Sequence, residues 1–214
     1  MTPSPTAARA TAGREPKQER AVRTRAQVLE TAAELFAERG YDATSIVDIA
    51  ERVGMTKGAV YFHFKNKEAM AIAVVESNYD RWPAVLREVR TENLDPRSTI
   101  LALLDRTAQA FHTDRTIQAG ARLQSERSLI GTPLPEPYVG WIDLLAGLFE
   151  EAERAGQLKK GLTPRTAARV VVSSFYGMQH ISDVLHHRAD LMERWRELRD
   201  ITLEAVLPSN PDQT

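Results

Sequence analysis

From Thr24 onward the large apolar side chains recur at helical spacing. Val28, Ala32, Leu35 and Phe36 fall at i, i+4, i+7 and i+8, one face of a helix that Gly40 stops. Thr44 or Ser45 caps a short second helix, and Asp48, three residues after Ser45, completes a capping box. The apolar side of that helix is Ile46, Ile49, Ala50 and Val53. Gly54 ends it, Met55 fills the turn, and Thr56 caps a third helix, Lys57–Phe62. Asn66 caps a fourth that runs to about Arg81, where Trp82-Pro83 interrupts the helix.

The same periodicity continues to the end of the chain. Asp95-Pro96 is an N-cap followed by proline at the first helical position, with Ile100, Leu101, Leu104, Ala108 and Phe111 behind it. Asp114 opens a helix expected to end near Gly131, and residues 132–137 form a stiff connector with three prolines. Further helices are expected from Tyr138 to Ala155, from Thr163-Pro164 to about His187, and from Asp190 to Leu207. No alternating strand pattern is visible, so the predicted fold is all-α with nine or ten helices. Residues 1–20 hold almost no large apolar side chains and read as a disordered tail. The expected organisation is a helix-turn-helix unit over 21–81, a larger helical ligand-binding and dimerisation domain over 82–207, and a short tail over 208–214.

Composition narrows the function classes. Of 214 residues, 43% are hydrophobic and 27% charged, an ordinary globular balance. Cysteine is absent, which excludes a disulfide framework, thiolate metal sites and a cysteine nucleophile. The longest run without a polar side chain, Ala69–Val75, is far short of the roughly 18 residues of a membrane span. No apolar signal segment follows the start, so a cytoplasmic location is expected. His180, His186 and His187 cluster with Asp183 as the one close carboxylate, a poor metal set; no Ser-His-Asp arrangement, Gly-rich phosphate loop or HExxH is present. Neither an enzyme nor a cofactor is expected. The net charge of −1 hides an asymmetry: residues 1–67 hold 11 basic and 8 acidic residues, residues 68–214 hold 17 and 21. A basic front on an acidic body suits a polyanionic partner, although +3 over 67 residues also arises by scatter.

Two short capped helices joined by Gly54-Met55-Thr56 form a helix-turn-helix pattern. Gly58 and Ala59 are small, so the third helix can bring its backbone close to base edges, with Lys57 and Tyr61 pointing outward beside them. A lysine suits guanine acceptors in the major groove and a tyrosine hydroxyl suits phosphate. Val60, Phe62 and Phe64 are expected to point into the core. The same pattern also fits a plain helical hairpin whose Lys and Tyr are solvated.

Residues 22–67, with Gly40-Tyr41, Thr44-Ser45, Ile49-Ala50, Gly54, Lys57-Gly58, Tyr61 and Phe64 in family register, resemble the DNA-binding domain of TetR-family transcriptional repressors. The resemblance implies a homodimer on double-stranded operator DNA, its two third helices in successive major grooves. It implies phosphate contacts from Thr44, Ser45, Tyr61 and Lys67 and base contacts from Thr56, Lys57, Gly58 and Ala59, with His63 either on phosphate or simply packed or solvated. The segments AIAVVESNYDRWP, QAGARLQSER, LPEPYVGW and GMQHISDVLHHRADLMERWRELR are similar to the γ-butyrolactone and furan autoregulator receptors of that family. That similarity implies a repressor of antibiotic-biosynthesis genes released by a small-molecule autoregulator at Tyr79, Gln124, Tyr138 and Trp141. The residues themselves leave room for a core role: a Gln beside Leu123 and a Tyr/Trp pair at helical spacing also occur in ordinary packing. The fourth helix is expected to be the one continuous link between such a site and the DNA-reading end. A related repressor of an efflux system, sensing drugs or lipids, is the alternative. Leu191, Trp195, Leu198, Thr202 and Ala205 step by four, three, four and three, and with Val170, Val171, Phe175, Met178, Ile181 and Leu185 they suggest a two-helix face. Such a face pairs two copies into a four-helix bundle, with burial inside one chain as the other reading.

Overall fold

The computed structural model describes residues 17–209; the first sixteen residues of the expected N-terminal tail, and residues 210–214, lie outside them. Ten α-helices follow one another: α1 (Lys17–Arg39), α2 (Ile46–Val53), α3 (Lys57–His63), α4 (Lys67–Tyr79), α5 (Trp82–Arg90), α6 (Pro96–Thr113), α7 (Arg115–Ser125), α8 (Val139–Arg154), α9 (Pro164–His186) and α10 (Leu191–Val206). A single 3-10 turn, Arg127–Leu129, follows α7, and no strand occurs among the described residues.

Local chemistry sets most boundaries. Ser45 and Asp48 exchange both bonds of a capping box at α2, while the side chains of Thr56, Asn66, Asp95, Asp114 and Thr163 cap α3, α4, α6, α7 and α9. Gly54, at φ +73°, closes α2 in the left-handed conformation, and the Met55 amide donates to Ala50 O at 2.8 Å, the bond that turns the chain into α3.

The helices enclose two apolar cores. One gathers Val28, Phe36, Ile49, Val60, Met70 and Val74 from α1–α4. The other gathers residues of α5, α6, α8, α9 and α10 around Phe111, Leu145, Phe149, Phe175 and Trp195. Helix α7 serves both: Ala119 and Leu123 enter the first core, Ile117 and Ala121 the second. Along the chain the change from the first core to the second falls between Tyr79 and Trp82, and the two cores meet in space along α7. Where α7 crosses α4 the approach is close, because a Cβ on Gly120 would lie 2.6 Å from Asn78 Nδ2 and 2.9 Å from Asn78 Cβ.

Several expectations need correction. Helix α1 begins at Lys17, so residues 17–20 of the expected tail are helical. Pro208 and Ser209 are held rather than trailing: Arg97 Nε donates to Leu207 O at 3.0 Å, and the Ser209 amide donates to Glu204 Oε1 at 2.7 Å. Helix α7 stops at Ser125 rather than near Gly131, because Ile130 and Leu134 turn back into the first core. Leu191 and Trp195 do not face outward. Trp195, 2% exposed, packs edge-on to Phe175 at 5.5 Å and donates from Nε1 to Asp105 Oδ1 at 2.6 Å, so this part of the α10 seam is buried within the chain. Val171, Phe175 and Met178 of α9 are buried in the same core. What the last two helices leave exposed is Val170, Ile181, Val184, Leu185 and Ile201.

Candidate functional site

Helix α3 rests on the first core through Val60, which is fully buried, and Phe64 follows it inward with the Arg25 guanidinium 4.6 Å over its ring. The opposite side of α3 is open. Thr56, Lys57, Gly58 and Tyr61 are exposed and Ala59 is half-buried; Lys57 Nζ stands 5.7 Å from the Tyr61 ring. Thr56 Oγ1 accepts from the Ala59 amide at 3.2 Å, so this hydroxyl caps the helix while remaining at the surface. Ser45 is exposed as well, its hydroxyl donating to Asp48 Oδ2 at 2.6 Å.

Three residues differ from expectation. Thr44 is 1% exposed, and its hydroxyl donates to Gly40 O at 2.8 Å, tying the start of α2 to the end of α1. It is not open to a phosphate; the polar cap of α2 is Ser45, one residue on. Lys67 Nζ donates to Tyr41 O at 2.9 Å and lies 4.0 Å from the Tyr41 ring, so its charge is already engaged at the α1–α2 turn. Phe62 faces solvent. A helix turns by 100° per residue, so Phe62, two positions after the inward Val60, falls near the opposite side.

Tyr79, Tyr138 and Trp141 line one cavity of about 190 Å³, together with Trp82, Pro83 and Leu144. Trp82 and Trp141 both line it, their ring centroids 4.9 Å apart. Gln124 stands behind Tyr79: its Nε2 donates to Tyr79 Oη at 2.9 Å and to Pro135 O at 3.0 Å, joining α4, α7 and the proline connector. Burial pushes the Tyr79 phenol up to about 12 against the opposite pull of the Gln124 bond, so it is a neutral hydroxyl at any physiological pH. Tyr138 sits at φ +69°, a left-handed conformation costly for a bulky residue, with its ring edge-on to Tyr176 at 4.4 Å. Burial raises the Tyr176 phenol as well, with Tyr79 and Tyr138 adding to the shift. Beyond Tyr138 the cavity wall is shared with an open groove of about 520 Å³ bordered by Ser125, Tyr176, Gln179 and His180.

The buried side chains around these spaces leave several polar atoms without a partner: Gln124 Oε1, Gln179 Oε1 and the indole nitrogens of Trp82 and Trp141. Two acceptors and two donors in an apolar setting are costly unless something pairs with them. Sequence reasoning passed over Trp82, Tyr176 and Gln179. Trp82 follows Tyr79 at i+3, a visible signal masked by the adjacent proline; Tyr176 and Gln179 sit in a helix of mixed apolar and polar residues, where their spacing pointed to no cavity.

Helix α4 is not the only link from this cavity to the DNA-reading end. On α7, two residues either side of Gln124, Arg122 donates to Ala37 O at 3.1 Å and Glu38 O at 3.3 Å, capping the last carbonyls of α1. Glu126 accepts from the Tyr41 amide at 2.6 Å and from Arg122 Nε at 2.9 Å. Gly40, at φ +82°, passes so close that a Cβ there would lie 2.6 Å from Glu126 Oε1. Gln124 thus holds the cavity's Tyr79, while Arg122 and Glu126 beside it grip the end of α1.

A capped helix-turn-helix with an open second helix is mounted on a helical body that holds an aromatic cavity, the architecture of a DNA-binding regulatory protein. Residues 28–74 match the family of bacterial regulatory proteins called tetR, and the chain belongs to that family. It is 33% identical over 189 residues to the A-factor receptor protein of Streptomyces griseus, which covers 85% of this chain; the chain spans 64% of that receptor's length. A solved structure concerned with control of antibiotic production by bacterial hormones shares 56% identity, with a TM-score of 0.84, covering 87% of this chain and 98% of the other. A γ-butyrolactone receptor described as ArpA-like shares 25% identity, with a TM-score of 0.72, covering 92% and 93%. The matched family is described as one of bacterial regulatory proteins. No helix among the described residues is long and apolar enough to cross a membrane.

Proposed function

We propose that this protein represses antibiotic-biosynthesis genes as a homodimer on palindromic operator DNA and is released by a small autoregulator. The ligand class we assign is the γ-butyrolactone, butenolide or 2-alkyl-4-hydroxymethylfuran-3-carboxylic acid type. The observation that carries this reading is the cavity between Tyr79, Tyr138 and Trp141, walled by rings, with the unpaired indole nitrogens of Trp82 and Trp141 among its lining residues and Gln124, its Oε1 unpaired, bonded to Tyr79 behind it. A carbonyl or carboxylate would accept from the indoles, a hydroxyl would donate to the amide oxygen, and an alkyl chain would lie against the rings. The likeness to receptors of A-factor and of γ-butyrolactones supports the class. The furan variant rests on the resemblance of the body segments to the methylenomycin furan receptor. The test is to titrate furans, butenolides and lactones against the protein–operator complex; release by drugs or fatty acyl compounds instead would favour an efflux regulator.

The dimer face supports the same reading. Val170, Ile181, Val184 and Leu185 on α9 and Ile201 on α10 form an exposed apolar set on the last two helices, suited to isologous pairing. DNA contact is assigned to α3, with Lys57, Gly58 and Ala59 towards bases and Tyr61 and Ser45 towards phosphate. Lys57→Ala or Tyr61→Ala is expected to weaken operator binding by ~1–3 kcal/mol per half-site, hence ~2–6 kcal/mol for the dimer, while melting temperature and dimerisation stay near wild type. Gel shifts and thermal melts check both parts. Unchanged operator affinity in both variants would reject α3 as the reading helix.

A further inference from the structure

We infer that Phe62 reads a thymine methyl group in each operator half-site, a specificity contact that rests on the DNA-binding role proposed for α3. Phe62 is 81% exposed, more than any other large apolar side chain among the described residues. A single exposed apolar residue is ordinary on most surfaces, but this one occupies a particular line on its helix. With the buried Val60 taken as the inward direction and 100° per residue, Gly58 and Phe62 each fall within about 20° of the outward direction, one turn apart. Lys57 and Tyr61 flank that line on one side, Ala59 and His63 on the other. Whatever α3 approaches most closely through Gly58, Phe62 meets next.

The chemistry of a major groove then limits what Phe62 can meet. Base edges there present hydrogen-bond donors and acceptors, and their one apolar group is the C5 methyl of thymine. The backbone on either side is anionic and favours cations and polar groups. His63 packs edge-on against the Phe62 ring, centroids 5.2 Å apart and planes at 86°, which supports the ring from one side and leaves its other surfaces open. An aromatic held in that way on the centre line of a reading helix matches a methyl and nothing else on the groove floor. None of its neighbours substitutes for it: Lys57 and Tyr61 end in polar groups, Gly58 has no side chain, and the half-buried Ala59 stands about 80° off the outward line.

The experiment uses the full chain and the duplex recovered by footprinting or by selection from random sequence. Each thymine of a half-site, with its symmetry mate, is replaced in turn by deoxyuridine, which removes the methyl and keeps the base pair. Binding is followed by fluorescence anisotropy. At one symmetric position the wild-type protein is expected to lose about fourfold in affinity per half-site, about fifteenfold for both, the effect of one buried methyl per subunit. Phe62→Ala is expected to bind the unmodified duplex more weakly and to show no further loss at that position, while Phe62→Leu keeps part of the methyl preference. Tyr61→Ala, weakened overall, is expected to retain the deoxyuridine penalty. Wild-type protein that binds tightly but is indifferent to every deoxyuridine overturns the inference, as does a penalty that persists undiminished in Phe62→Ala. In either case the DNA-binding reading survives, whereas a wild-type protein that binds no duplex would overturn that reading and the inference with it.

Discussion

Gln124→Leu is expected to give a repressor that stays on its operator when the signal is present. The substitution keeps the volume of the side chain but removes both donors from Nε2, which now reach Tyr79 Oη and Pro135 O, and the buried, unpaired Oε1 behind the cavity's Tyr79. Leaving buried partners unsatisfied costs about 1–3 kcal/mol. In ligand affinity that corresponds to a loss of roughly 5- to 150-fold, which isothermal titration with a furan or lactone signal reads directly. Operator affinity without ligand is expected to stay near wild type, because the hydrogen bonds of Gln124 go to Tyr79 and Pro135 rather than to α1–α3. A variant that binds the signal as well as the wild type would move the ligand site away from Gln124.

The coupling behind that expectation runs through two helices. A ligand that draws on Gln124 and Tyr79 acts at once on α7 and on α4. Helix α7 carries the displacement to Arg122 and Glu126, and so to the Ala37 and Glu38 carbonyls and the Tyr41 amide. Helix α4 carries it to Lys67 and the same Tyr41, at its carbonyl. Both arms end on the α1–α2 turn, the joint from which α2 and α3 project. In a dimer, a small rotation at that joint in each subunit changes the separation of the two reading helices. The ligand shifts the equilibrium only by as much as it prefers the rearranged state.

Gly120→Ala is the second large effect expected, and it acts on the crossing of those arms. The added Cβ would stand 2.6 Å from Asn78 Nδ2 and 2.9 Å from Asn78 Cβ, and Asn78 is itself buried, so neither helix has room to yield. Overpacking of this kind costs about 1–3 kcal/mol, occasionally more. For a chain of this size that lowers the melting temperature by roughly 2–4 °C per kcal/mol. Gly147→Ala on α8 supplies the contrast of opposite sign: a Cβ there has no heavy atom within 4 Å, and replacing a helical glycine by alanine stabilises by roughly 0.5–1 kcal/mol. Thermal melts of both variants test the pair. A Gly120→Ala protein that melts at or above the wild type would mean that α4 and α7 separate without cost, and the two-armed coupling would lose its basis.

The all-α class, the caps and the helix-turn-helix were legible because they depend on neighbours in the chain. Ser45 and Asp48, Gly54, Thr56, Asn66 and Asp114 each act within one turn of their own position, so spacing alone specifies the helix ends. The inward face of α1 followed for the same reason. Phe62 was misassigned although its direction is a matter of simple geometry: hydrophobicity argued for burial, and the 100° turn from Val60 argues against it. Thr44, Lys67 and Trp195 carried no local sign of their fates. Their partners are Leu35 O and Gly40 O, Tyr41 O, and Asp105, and two of these three associations join residues far apart in the chain. The cavity belongs to the same category. Tyr79, Trp82, Gln124, Tyr138 and Trp141 come together only because α7 threads between the two cores and the proline connector folds back over it. Short-range periodicity and capping determined which segments are helices. Which side chains are left unpaired beside a cavity, and which helix grips the end of α1, was decided by tertiary packing, because burial and hydrogen-bond satisfaction depend on every element that arrives at a site rather than on the one that carries the residue.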